Sequence, residues 1–197
     1  MRDAMDAYLL QDARYAFALS PCDAQEYAPQ LAKKMSECSR QAGVGPMAAV
    51  AGAFAVHIAH KLINRFEINE IIVENGGDIY ASIKNDIDVA VFAGESPLSE
   101  KIGLHIEAKE SPLGICTSSG TIGPSLSFGK ANAVMIVCTD TLLADCYATA
   151  FANRIQTTAD IHPTLEMIAG IKDILSALIV KDAQMGVIGK FEMKLFG

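Results

Sequence analysis

The chain has 197 residues, of which 51% are hydrophobic and 20% charged, and it carries a formal net charge of -7. That is enough apolar material for a real core and too little charge for disorder. The acidic balance argues against a nucleic-acid binder, which presents a basic surface.

In chain order, Ala4 to Leu19 reads as a helix that Ser20-Pro21 ends. Asp3, Asp6 and Asp12 fall where a signal peptide would need an unbroken apolar run. Gln30 to Gln41 forms a second helix, closed by Gly43, and Pro46 starts a long third one at a favoured first-turn position. The apolar stretch Met47 to Ile63 is alanine-rich and broken by His57, His60 and Lys61, so it does not read as membrane-spanning. Strands are expected at Glu70–Glu74, Asp78–Lys84, Asp88–Ala93, Lys101–Glu107, Leu113–Thr117 and Ala133–Thr139. Thr141 to Ile155 reads as a helix capped by Thr139, Asp140 or Thr141. Leu165, Ile168, Ile171, Leu175, Leu178 and Ile179 recur at helical spacing, which predicts a helix over Thr164–Lys181. Met185–Ile188 and Phe191–Phe196 read as a closing hairpin. Short strand connections point to α+β architecture: one domain over residues 1–197, with an antiparallel sheet and helices packed on one side.

Two segments suggest a ligand site. Gly114 to Lys130 holds four glycines, four serines and two threonines. Glycine lets backbone N–H groups turn toward one point, and Ser/Thr hydroxyls add donors, a composition suited to a phosphate or other anion. Thr117, Ser118, Ser119, Gly120 and Thr121 form its first half, with Lys130 as a countercharge. The second segment is Asn75-Gly76-Gly77-Asp78 between two predicted strands, which reads equally as a plain turn. Cys22, Cys38, Cys116, Cys138 and Cys146 are odd in number and include no C-x-x-C, which disfavours zinc ribbons and disulfide frameworks. Cys116 precedes the Ser/Gly loop and is a weak nucleophile candidate, because no activating partner is evident. His57 and His60 lack a third metal ligand.

Four segments taken together resemble the uncharacterised ApbE-like family, related to the FAD:protein FMN transferases. They are Gly43 to Gly52, Val73 to Ile79, Thr117 to Thr121 with Ser127 to Ala131, and Leu143 to Ala150. The resemblance implies a tunnelling-fold-like architecture with two related halves. It also implies that Asp145 and Thr149, four apart on one helical face, match the pair that helps hold magnesium in flavin transferases. Asp145 reads equally as a residue favoured near a helix start. The His-x-Ile-Asp-Pro motif of those enzymes is replaced here by Gly123-Pro124-Ser125-Leu126-Ser127-Phe128-Gly129, which counts against flavin transfer. The resemblance further implies that a strand segment usual at the family's N-terminus is missing, leaving a sheet edge that favours a homo-oligomer.

The resulting expectation is a cytoplasmic protein, without nucleic-acid or membrane partners, that binds a small anionic or phosphorylated ligand. A flavin nucleotide with magnesium is the first candidate, and a link to sulfur or homocysteine metabolism, with Cys116 carrying sulfur, follows from the resemblance. The alternatives are a non-catalytic assembly protein that keeps the fold, and a magnesium-dependent flavin transferase.

Overall fold

Two antiparallel sheets organise the computed structural model, which describes residues 2–121 and 127–197. The larger has the order β1-β2-β5-β6-β7-β8, built from β1 (Ile71–Asn75), β2 (Asp78–Ser82), β5 (Leu113–Ser118), β6 (Ala133–Cys138), β7 (Ile174–Lys181) and β8 (Gln184–Gly189). The smaller contains β3 (Ile87–Ala90), β4 (Ile102–Ile106) and β9 (Met193–Leu195) in the order β3-β4-β9. The helices are α1 (Arg2–Gln11), α2 (Ala13–Ala16), α3 (Gln30–Ala42), α4 (Val50–Phe66), α5 (Thr141–Ala152) and α6 (Ile161–Ala169).

The expected α+β class holds, with helices against one face of the large sheet. Val134, Ile136, Ala177 and Ile179 point into the core shared with the helices. Their neighbours Ala133, Met135, Val137, Leu178 and Val180 point the other way, into a second core roofed by the small sheet through Leu104 and Ile106, with Phe191 from the segment before β9. Because a strand alternates its side chains between faces, β6 and β7 must be apolar at nearly every position to serve both cores.

That double burial corrects the helix expected over Thr164–Lys181. Only Ile161–Ala169 is helical, Gly170 ends it, and Ile174–Lys181 is the central strand β7. A strand buried on both faces loses its two-residue alternation, and its continuous apolar run matched a helical template by accident. The closing hairpin is also corrected. β8 pairs with β7, while β9 pairs with β4 in the other sheet. The first helix breaks in two at Asp12, whose carboxylate accepts the Tyr15 N–H at 3.0 Å and caps α2. Of the three candidate caps for α5, Asp140 takes the role, accepting the Leu142 and Leu143 N–H groups.

The segment Pro46–Phe66, with mean hydropathy 1.4, is by length and composition long and apolar enough to cross a membrane. Here its small residues Ala53, Ala55 and Ala59 are buried, with Ala55 and Ala59 packed beside Tyr80 of β2.

Candidate functional site

A cavity of about 1010 Å³ opens between the helix layer, the β1–β2 turn, the end of β5 and the outer strand β3 of the small sheet. Gly76, Gly77, Asp78, Thr117, Ser118 and Ser119 line it, as do Asp145 and Thr149 of α5. The two segments singled out in the sequence therefore meet across one hollow. Asn75, Cys116, Gly120, Thr121 and Lys130 are not among its lining residues. Asn75 turns away and donates from Nδ2 to the Ala51 carbonyl at 3.1 Å. Lys130 is exposed. The segment Ile122-Gly123-Pro124-Ser125-Leu126, which stands in place of the transferases' His/Asp motif, lies outside the described residues.

The glycines have local explanations. Gly76 and Gly77 have φ of 66° and 99°, as a two-residue hairpin turn with two left-handed positions requires. That turn brings Asp78 back into register with Asn75 on one side and Cys116 on the other. In the Ser/Gly loop, a Cβ on Gly120 would lie 2.1 Å from the Gly129 carbonyl oxygen, and one on Gly129 would lie 1.8 Å from that of Ala152. These two glycines let backbone pack on backbone at the end of α5. The hydroxyls are engaged as well: Ser119 donates to the Ala131 carbonyl at 3.3 Å, and Ser127 donates to Asn153 Oδ1 at 3.1 Å.

The chemistry of the floor is acidic. Asp78 and Asp145 are only 7% and 6% exposed. Asp78 Oδ1 is buried without a hydrogen-bond partner among the described residues. Burial pushes the Asp78 carboxyl up to about 7; the neighbouring Cys116 thiol offsets part of this, and the charge of Glu74 adds to it. Asp145 is raised well above the ordinary range by burial and by the charge of Asp78, while the N–H groups of Gly52 and Ala51 pull the other way. Asp145 Oδ2 accepts the Gly52 N–H at 2.9 Å. Gly52 stands in the first turn of α4, whose own N-cap residue, Ala49, supplies no side-chain bond. Asp145 thus caps a distant helix from α5 while facing the cavity.

Glu74 and Asp88 also line the hollow, and no Lys, Arg or His does so among the described residues. A bare anion would meet four acidic side chains and no cation among the described lining residues, the Lys194 charge beside Asp88 being already engaged by that carboxylate. A divalent cation reverses that balance. Asp78, Asp145 and Thr149 offer hard oxygen donors, and the unpartnered Asp78 oxygen is an acceptor waiting for a positive partner, so these residues suit magnesium. Among the described residues no group of three or more His, Cys, Asp or Glu converges on a metal position. The remaining ligands would come from phosphate oxygens and water, as magnesium commonly arranges.

Cys116 is fully buried, and its thiol donates to the Thr141 carbonyl at 3.4 Å. Burial, together with the charges of Asp78 and Asp145, drives its pKa far up, so it stays a thiol rather than a nucleophilic thiolate. Sequence reading missed Asp88, Asn153, Phe92 and Phe128 as wall and rim residues. Phe92 and Phe128 are 58% and 59% exposed and line the opening. An exposed aromatic after a short strand carries no local motif, so only the tertiary arrangement reveals it.

The sequence model of the family described as AbpE bacteria matches residues 1–171. The chain therefore belongs to this family, in agreement with the ApbE-like resemblance of its motifs. A UPF0280 protein of Methanosarcina acetivorans is 34% identical over 190 residues, covering 96% of this chain and 74% of the relative. One from Methanocaldococcus jannaschii is 34% identical over 191 residues, covering 94% and 77%. Among solved structures, the apo flavinyl transferase ApbE of Pseudomonas stutzeri matches with TM-score 0.49 and 15% identity over 98% of this chain and 71% of its own. The Vibrio cholerae flavin transferase ApbE matches with TM-score 0.47 and 13% identity over 94% and 73%. A likeness at that level carries no functional argument.

Proposed function

We propose that this ApbE-like protein binds a phosphorylated, nucleotide-sized ligand together with a divalent cation, flavin nucleotides being the first class to test. The observation that carries the reading is the pair of buried carboxylates, one with an oxygen unpartnered among the described residues, on the floor of a cavity whose described lining holds no basic residue. The volume, about 1010 Å³, suits a ligand of that size. Phe92 and Phe128 at the opening offer faces on which a planar ring can stack. The motif resemblance, in which Asp145 and Thr149 match a magnesium pair, points the same way. Magnesium would supply the charge that lets a phosphate approach Asp78 and Asp145; the protein's own residues orient the ligand and exclude water from the floor.

Several finer expectations belong to the same proposal: a cytoplasmic setting, no nucleic-acid or membrane partner, and self-association. A sulfur-carrying role gains no support from Cys116, whose thiol is sealed in the core. The rival, a non-catalytic protein that has kept the fold, draws on the packing roles of Gly120 and Gly129. Calorimetry with FMN and FAD, with and without magnesium, separates the two. Binding should need magnesium. Asp78→Asn or Thr149→Ala should weaken it by at least about tenfold, the loss expected when an oxygen contact to a charged group is removed. Equal binding in EDTA, or no binding of either nucleotide, rejects the reading.

A further inference from the structure

Strand β3 forms one wall of the cavity through Ile87, Asp88, Val89 and Ala90. It is an outer strand of only four residues, paired on one side with β4. So short an edge strand is weakly held by its ladder alone. Its additional tie is Asp88, whose carboxylate reaches both other strands of the small sheet. His105 Nδ1 on β4 lies 2.6 Å from Asp88 Oδ1, and Lys194 Nζ on β9 lies 2.9 Å from Asp88 Oδ2. The other imidazole nitrogen, Nε2, faces Asp86 Oδ2 at 3.7 Å. Asp86 itself is placed by its second oxygen, which accepts the Ala108 N–H at 2.7 Å. One imidazole therefore stands between two carboxylates, and one carboxylate staples three strands.

We propose that His105 is a proton-operated fastener of the β3 wall, holding the cavity in its binding form while charged and loosening it when neutral. Charged, His105 attracts Asp86 and Asp88 at once. Neutral, it keeps one N–H at most for the pair, and the two carboxylates on the β3 side are left with Lys194 beside Asp88 and with Lys109, itself paired with Glu107, on the Asp86 side. The groups that face the imidazole are Asp86 and Asp88 from the β3 side and Lys194 from β9. The hydrogen bond with Asp88 raises His105 above its ordinary 6.5, and the same contact lowers Asp88, so Asp88 stays ionised while His105 titrates. Because the folded value exceeds the unfolded one, this contribution is complete below about 6.5 and fades as pH rises through the folded value.

The test uses the full chain and two substitutions at this partly exposed position: His105→Gln, permanently neutral, and His105→Lys, permanently charged over the range. Hydrogen exchange of residues 87–92, corrected for intrinsic rates, is followed from pH 6 to pH 8.5. In the wild type, protection should fall by up to about fivefold, the size set by exposed ion pairs. It should stay flat in both variants, lower in His105→Gln. A flat wild type, or variants that track the wild type, overturns the proposal. The second arm rests on the ligand reading above: the magnesium-dependent FMN affinity of the wild type relative to His105→Lys, a ratio in which the titration of Asp78 common to both cancels, should fall over the same range. Absence of FMN binding at every pH would sink the ligand reading while leaving the exchange result to judge the fastener. Binding with the same pH profile in all three proteins would overturn the fastener while leaving the ligand reading intact.

Discussion

Replacing Asp78 by Asn in the cation-free protein should change the pH dependence of stability in a defined direction. In the folded chain burial lifts the Asp78 carboxyl from 3.8 to about 7. Below the lower value the group is protonated in both folded and unfolded chains and contributes nothing. Between the two, the unfolded chain releases the proton and the folded chain keeps it, so stability falls as pH rises. Above about 7 the loss is complete and stays constant. The interval spans about three pH units, and at about 1.4 kcal/mol for each the total reaches about 4 kcal/mol. Asp78→Asn removes this slope. It leaves a pH-independent cost of about 1–3 kcal/mol if the amide is not satisfied, so the slope and not the absolute stability is diagnostic. Urea unfolding in EDTA at half-unit steps from pH 4.5 to 8 gives both curves. The difference between wild type and Asp78→Asn should grow steadily in favour of the variant and level off near pH 7. Parallel curves would refute the claim that burial holds this carboxyl far above its ordinary range.

Two further outcomes follow from the packing. Gly129→Ala places a methyl 1.8 Å from the Ala152 carbonyl oxygen; denaturant melts should show a loss of about 1–3 kcal/mol, the usual cost of forced overpacking. Alkylation by iodoacetamide under native conditions, read by peptide mass spectrometry, should modify the partly exposed Cys22 well before the buried Cys38, Cys116, Cys138 and Cys146; early labelling at Cys116 would contradict its assignment as an inert thiol.

The fold class was legible because most of its elements carry strong local signals. Gly43 takes the left-handed position that ends α3, Pro46 opens a helical turn, and the Asn75–Asp78 segment is a hairpin. The small sheet as a separate roof was not legible. β9 finds β4 across some ninety residues of sequence, from Leu195 to Ile102, and only the completed core selects that pairing. Strand β7 was misread because both of its faces are buried. The site was half visible: the turn at Gly76-Gly77 and the hydroxyls of Thr117, Ser118 and Ser119 do face one hollow. The charge logic was not, since Lys130 promised an anion site while the carboxylates gather from three separate segments, Glu74 and Asp78 from the β1–β2 hairpin, Asp88 from β3 and Asp145 from α5.

Asp145 holds the opening turn of α4 through the Gly52 amide, independently of anything the cavity contains. A descendant of this chain that had abandoned its ligand would still be under pressure to keep that aspartate, because its loss would loosen a seventeen-residue helix at its foundation. Its survival in a sequence is thus a poor badge of retained chemistry. Thr149, which donates no side-chain bond to the fold among the described contacts, is the more telling position to inspect when sorting working members of the family from relics.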